Sequence, residues 1–361
     1  MRLFLSLLVV WGFPASAAET MRIAMGKEVP RAIIRGQQLA LGDDAEDGHF
    51  VGLDQPEVQI EAVKDGLKVA GAAWPEQAVR VRTGQSSSDG LPLVVNGTAV
   101  RGDVVAVRTP QGVQLVNVLP LEDYLVGVLG SEMPRSYPLE ALKAQAVAAR
   151  TYALHRKLEQ YGQSAHLGSS VLSQVYGGLK AEDPRTREAV EATRGLVLTY
   201  DLQPIEAYFH ASCGGETETG LSALNRDLPY LKAVDCPCHS LKETHWSALV
   251  DDGELQRALG LKGAAAVEVQ GRTGTGRARR VAVGARSIDA VQFRERLGYS
   301  RVRSLRFEVE KKGKGWLIEG DGFGHGAGMC QWGARLYAEK GWRFAQILAH
   351  YYPGAELQTL Y

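Results

Sequence analysis

The chain has 361 residues, 45% hydrophobic and 23% charged, enough to bury a sizeable core in two domains or in one domain with appendages. Lys plus Arg and Asp plus Glu both number 41, a formal net charge of zero. That balance argues against a nucleic-acid binder, which carries a basic excess to meet phosphates. The short basic clusters Arg277-Ala278-Arg279-Arg280 and Lys311-Lys312-Gly313-Lys314 read as solvated faces rather than a polyanion site.

At the N-terminus Met1-Arg2 carries one positive charge, Leu3 to Phe13 is almost wholly apolar, Pro14 breaks the run, and Ala15-Ser16-Ala17 supplies small residues. This is the order of a secretory signal over residues 1–17, with an apolar run too short to span a bilayer. It predicts an exported protein, periplasmic or extracellular, with no transmembrane segment in the mature chain.

Residues 18–89 read as a β-rich extension. Ala32-Ile33-Ile34 and Val58-Gln59-Ile60 are strand-like, and Gly84 to Gly90 is a polar, flexible boundary. Leu93-Val94-Val95 before Asn96-Gly97 signals a hairpin. Arg101 to Val118 continues strand-turn-strand through Thr109-Pro110-Gln111-Gly112.

The pattern then becomes helical from Pro120, with Pro134 and Pro138 punctuating a turn. From Pro138 to Tyr161, Leu139, Leu142, Ala146, Ala149 and Ala153 recur at three- and four-residue steps, predicting a central helix with one apolar face. A helix is expected from Pro184 to Thr193, then a strand Leu196–Tyr200 with Ile205–Phe209 as its hairpin partner. Residues 246–319 read as an inserted α+β subdomain, with strands at Ala266–Val269 and Leu305–Val309. Met329 to Tyr352 reads as helical up to Pro353-Gly354.

Three segments place reactive or small residues where packing alone would not. In Gly130-Ser131-Glu132-Met133-Pro134-Arg135, a carboxylate flanked by Val128, Leu129 and Met133 is partly desolvated, which raises its pKa and suits glycosidic bond cleavage. The plain alternative is a glutamate capping the next helix. Tyr208-Phe209-His210-Ala211-Ser212-Cys213-Gly214-Gly215 ends a strand in a polar cluster. It lacks the G-x-S-x-G elbow of a serine hydrolase. Asp321 to Gly333 carries glycines at alternate positions around His325, but without a βαβ unit it is not a dinucleotide loop. It reads as a tight loop placing His325 and Gln331 beside a substrate.

The four cysteines are Cys213, Cys236, Cys238 and Cys330. In an oxidising compartment the preferred reading is a disulfide from Cys213 to the Cys236/Cys238 pair. A metal cage drawing on Cys236-Pro237-Cys238-His239, His210, Cys213 and His245 stays open, although the spacing fits no standard zinc pattern.

These segments, in this order, resemble the SpoIID/LytB family. The matching stretches are Leu119 to Leu125, Ser131-Glu132-Met133-Pro134, Ala141 to Ala153, Gln174-Val175-Tyr176-Gly177-Gly178, His210 to Gly215, Gly324-His325-Gly326 and Gln331-Trp332-Gly333-Ala334. The resemblance implies an α+β fold, with a SpoIID-like catalytic domain over 90–361 carrying the inserted subdomain. It implies a lytic transglycosylase acting on peptidoglycan glycan strands, preferring denuded ones. Its catalytic glutamate maps to Glu132, and Lys143, Arg150, Gln174, Tyr176, His210, Ser212, His325 and Gln331 map to substrate-binding positions. Some relatives bind zinc through Cys and His just before the Gln-x-Tyr segment. Here that stretch is Ser169-Ser170-Val171-Leu172-Ser173-Gln174, so no cofactor and no catalytic metal are expected. Two alternatives remain: a non-catalytic glycan-binding enhancer whose partner is a cell-wall amidase, and a hydrolytic muramidase. The family name includes sporulation members, but nothing in the sequence says that this organism forms spores.

Overall fold

The computed structural model describes residues 19–45, 48–84, 91–168, 174–261 and 266–361. The expected signal segment, the polar stretch 85–90 and residues 169–173 lie outside the described residues. The fold is mixed α+β, as expected, and divides into two units, Met1–Tyr124 with Tyr361, and Leu125–Leu360.

The first unit is built from antiparallel strands. One run is ordered Thr20–Ala24, Gly112–Pro120, Asp103–Thr109, Ala78–Thr83, Leu39–Gly42, Phe50–Gly52. A second sheet is ordered Thr98–Val100, Leu93–Val95, Arg31–Arg35, Glu57–Val63, Gly66–Val69, Ala72–Trp74. Alternate residues turn inward, so Val79 and Val81 from one sheet and Ala32, Ile34, Val58 and Ile60 from the other are buried. The hairpin expected at Asn96-Gly97 forms, with both residues in the left-handed region that a two-residue turn demands. The break between units falls after Tyr124 rather than near residue 89. Ladder hydrogen bonds from 93–95 to 31–35, and from 103–109 to 78–83, tie these later strands to the first unit. One buried carboxylate, Asp103, is held by Arg80 at 2.7 Å and Arg82 at 3.3 Å.

Helix α1, Leu121–Glu132, ends on the candidate acid. Helix α2, Leu139–Glu159, follows Pro138 at its N-cap and contains neither glycine nor proline. Its burial exceeds the single apolar face expected: every residue from Ala144 to Leu154 is buried. The alanines let neighbours close on all sides, as for a helix in the middle of a core. Those neighbours are α3, Pro184–Glu191, the strand Leu196–Tyr200, and two C-terminal helices described below. Asp183 and Thr186 form a capping box that starts α3.

Strand Leu196–Tyr200 pairs with Gln203–Pro204 and with a C-terminal strand, Glu356–Thr359. The expected partner Ile205–Phe209 is displaced because Asp201 and Leu202, both at positive φ, make a tight two-residue turn that brings 203–204 back first. A short helix α4, Gly220–Leu224, follows. The stretch expected as an insertion begins and ends side by side, His245 opposite Asp321, on the paired strands His245–Asp251 and Gly315–Asp321. It contains α5, Asp252–Leu259, and α6, Ala290–Leu297, each capped by an aspartate side chain. A cluster of its own, including Val250, Leu255, Val281, Phe293, Phe307 and Ile318, fills its interior. The C-terminal helical segment is two helices, α7, Gln331–Glu339, and α8, Phe344–Tyr351, separated by a turn at Gly341 in a positive-φ conformation. No helix among the described residues is long and apolar enough to cross a membrane.

Candidate functional site

Glu132 sits on the last turn of α1, partly buried, with a pKa raised above the ordinary carboxylate value by burial. Two donors work against that rise. The Val175 N–H donates to Glu132 Oε1 at 2.8 Å, and the Gln331 side chain makes a second hydrogen bond. Burial outweighs both, so the net effect is a carboxyl that holds its proton more tightly than a solvated one.

The small residues of α1 explain how Val175 reaches it. A Cβ on Gly127 would stand 2.9 Å from the Tyr176 ring, and one on Gly130 would run into the Ala181 carbonyl oxygen. The segment from Gln174 to Ala181 therefore lies directly on the glycine face of α1. Gln174 is fully buried and donates to the Ala149 carbonyl at 3.0 Å, pinning the same segment to α2.

Gln331, the first residue of α7, is buried and donates to Gln145 Oε1 on α2 at 3.4 Å. The preceding residues Met329–Cys330 form a parallel pair with Phe209–His210, placing His210 opposite Cys330. His210 Nδ1 lies 3.0 Å from the Ala327 carbonyl, while its Nε2 is buried without a hydrogen-bond partner among the described residues. The His325 ring meets the His210 ring edge-on at 5.3 Å. His325 Nε2 donates to Phe209 O at 3.0 Å and its Nδ1 accepts from the Ala327 N–H at 3.1 Å, a network that fits one neutral tautomer. Burial lowers His325 to about 4, and burial together with the neighbouring His325 and Arg277 holds His210 well below the ordinary value. Both histidines are neutral at pH 7. Gly324, at φ +119°, allows this approach, since a Cβ there would lie 2.7 Å from His210 Cβ.

The expected site residues are thus not all brought together. Glu132, Gln331, Gln174 and Tyr176 gather around the end of α1, and His210 and His325 join them through the strand that leads into Gln331. Lys143 is partly buried and bridged to Glu140 at 2.8 Å, whose other oxygen accepts from the Phe344 N–H. Arg150 departs from a substrate-facing role: it is completely enclosed and donates to the carbonyls of Leu196 and Val190, each at 3.2 Å. Ser212 is also enclosed, with its hydroxyl 3.6 Å from Cys238 Sγ; it belongs to the cysteines rather than to Glu132.

Some participants are not apparent from the sequence. The Val175 donor is a backbone group. Gln145 leaves only a polar residue in an alanine run as its signal. Arg277, read from sequence as part of a solvated basic cluster, is buried and paired with buried Glu218 at 3.7 Å, and donates to the Cys213 and Glu216 carbonyls. Nor do the cysteines form the expected disulfide. All four are free, and the closest approach, Cys213 to Cys238, is 3.3 Å, a non-bonded distance.

The family model described as SpoIID, Stage II sporulation protein, matches residues 109–200, the stretch that holds Glu132, the α2 helix and Val175. Stage II sporulation protein D of Bacillus subtilis is 32% identical over 310 residues, covering 80% of this chain and 88% of that protein. The chain belongs to the SpoIID family. A similar protein of Brachyspira hyodysenteriae, with no assigned role, is 32% identical over 330 residues, 90% of this chain and 88% of its own length. The amidase enhancer of Bacillus subtilis is 30% identical over 290 residues, 65% of this chain but 40% of that protein.

Proposed function

We propose that this SpoIID-family protein is an exported lytic transglycosylase that cleaves the MurNAc–GlcNAc bond of peptidoglycan glycan strands, preferring denuded ones. The observation that carries the reading is the Glu132 carboxyl: partly buried, raised in pKa, and hydrogen-bonded to a backbone N–H and an amide. A carboxyl whose pKa is raised by burial and whose position is fixed by two donors suits general acid catalysis.

The usual glycosidase uses two carboxylates, one on each side of the bond. Here one is sufficient, because the nucleophile is part of the substrate and already close. Glu132 gives its proton to the bridging oxygen as the bond from that oxygen to the MurNAc anomeric carbon breaks. The resulting carboxylate takes the proton from the MurNAc 6-hydroxyl as that oxygen bonds to the anomeric carbon. The product end is 1,6-anhydro-MurNAc, and Glu132 is returned protonated. Val175 and Gln331 stabilise the transient carboxylate without abolishing its basicity. Lys143, Tyr176, His210 and His325 are proposed to border the glycan; His210 Nε2 is the ring nitrogen left for a hydrogen bond, while His325, with both nitrogens engaged, orders the loop. Arg150, Gln174 and Ser212 would act from behind by holding the backbone.

Export rests on the apolar segment Leu3 to Phe13 and the small residues after it. A second reading, a glycan-binding enhancer of a cell-wall amidase, is supported by the similarity to the amidase enhancer. Mass spectrometry of products from denuded strands separates the readings. Anhydro ends support the transglycosylase, and reducing ends identify a muramidase. Strand binding without cleavage, together with faster turnover by an added amidase, would establish the enhancer.

A further inference from the structure

Cys213, Cys236, Cys238 and Cys330 come from three separate stretches of chain, yet their four sulfurs lie within 4.8 Å of one another. Cys213 follows the strand Phe209–His210. Cys236 and Cys238 flank Pro237 at a single turn of 3-10 helix, Pro237–Ser240, and Cys330 is the N-cap of α7. Each is 2% exposed or less. Zinc bound tetrahedrally by thiolates has Zn–S distances of about 2.3 Å, which puts neighbouring sulfurs about 3.8 Å apart. The cluster has that size.

The surroundings are also those of thiolates. The N–H groups of Cys213 and Gly333 donate to Cys330 Sγ at 3.4 and 3.3 Å, and the Ser212 hydroxyl donates to Cys238 Sγ at 3.6 Å. The Tyr351 hydroxyl lies 3.2 Å from Cys236 Sγ. Four thiolates around a divalent ion leave a net negative charge, which such donors and the N-terminal end of α7 offset. Gly333 cannot carry a side chain here, because a Cβ would run into both Tyr351 Oη and Cys236 Sγ. Among the described residues, the other group of ligand-type side chains, His155, Glu159 and Glu206, already has Arg226 as its counter-ion.

We propose that these four cysteines bind one structural zinc ion. The site is separate from the one some relatives build before the Gln-x-Tyr segment, where this chain has serines, valine and leucine. It ties the turn at 236–238 to the strand bearing His210 and to the first residue of α7. Gln331, which hydrogen-bonds Glu132, follows a ligand directly, so the ion fixes the direction from which that amide reaches the acid.

The test uses the full mature chain, purified without chelator, and reads metal content rather than activity, so its outcome is independent of the proposed reaction. Elemental analysis should give one zinc per chain, released when a mercurial titrates the thiols. Cobalt exchanged into the same protein should give the intense visible absorption of a tetrahedral site with a thiolate charge-transfer band. Cys238→Ser and Cys330→Ser should each lose most of the metal; the cobalt spectrum of the unaltered protein covers the case in which neither variant folds. Protein without metal, either lighter by two hydrogens for each disulfide or fully alkylated without reductant, would overturn the proposal. Stoichiometric iron would overturn the choice of ion.

Discussion

Lowering the pH should expose the cost of keeping His325 neutral. Burial depresses its folded-state pKa to about 4 from an ordinary 6.5, so below pH 6.5 the unfolded chain takes up a proton that the folded chain refuses. The stabilisation is therefore complete above about pH 6.5 and is lost as the pH falls through the window down to about 4. At 1.36 kcal/mol per pKa unit, a shift of about 2.5 units corresponds to about 3 kcal/mol. The assay is urea unfolding of wild type and His325→Gln at several pH values. The glutamine keeps a donor for the Phe209 carbonyl and an acceptor for the Ala327 N–H, but does not titrate. His210 titrates in both proteins and largely cancels in the comparison. Between about pH 7 and 4 the stability of wild type relative to the variant should fall by about 3 kcal/mol. Parallel pH curves would refute the argument.

Gly130→Ala should destabilise the protein by about 1–3 kcal/mol and slow glycan cleavage, because the new methyl displaces Ala181 and draws Val175 away from Glu132. Unchanged urea unfolding would show that the 174–181 segment does not rest on α1 as described. Glu218→Ala strands the buried Arg277 guanidinium and should cost about 3–5 kcal/mol, measured by thermal unfolding. Adding Arg277→Met to Glu218→Leu should recover much of that loss, and additive losses would contradict the pairing. Gln331→Leu removes a donor that lowers the Glu132 pKa, so the high-pH limb of the cleavage rate should move to higher pH while the maximum rate falls. An unmoved or lowered limb would separate Gln331 from the acid.

The parts of this fold legible in the sequence are those governed by local chemistry. The alanine run of α2, the Asn96-Gly97 turn and the proline at the start of α3 each specify their own element. For Glu132, apolar neighbours and a following proline leave a helix cap and a desolvated catalyst both open, and the resemblance of the ordered flanking segments to the SpoIID/LytB family is what singles it out. What was not legible depends on residues far apart in the chain. Whether Arg150 faces solvent or a core depends on which carbonyls surround it, and those belong to Val190 and Leu196. Arg277 reads as one of a surface cluster until Glu218 and the Cys213 carbonyl arrive beside it. The cysteines converge only because residues 209–210 pair with 329–330, more than a hundred positions away. The strand Glu356–Thr359 was missed for a similar reason: it is mostly polar, and its partner is Leu196–Tyr200. The unit boundary at Tyr124 also reflects long-range ladders rather than the polar composition near residue 89.

The central claim is that the raised carboxyl of Glu132 cleaves glycan, and turnover of denuded strands by wild type and Glu132→Gln tests it most directly. The glutamine preserves size and the acceptor for Val175 but can neither give nor take the proton, so cleavage should fall by about 10²–10⁴-fold or more. Because burial penalises the charged acid, the variant should be at least as stable as wild type at neutral pH, so the loss cannot come from unfolding. A folded Glu132→Gln protein that cuts at the wild-type rate would contradict the account.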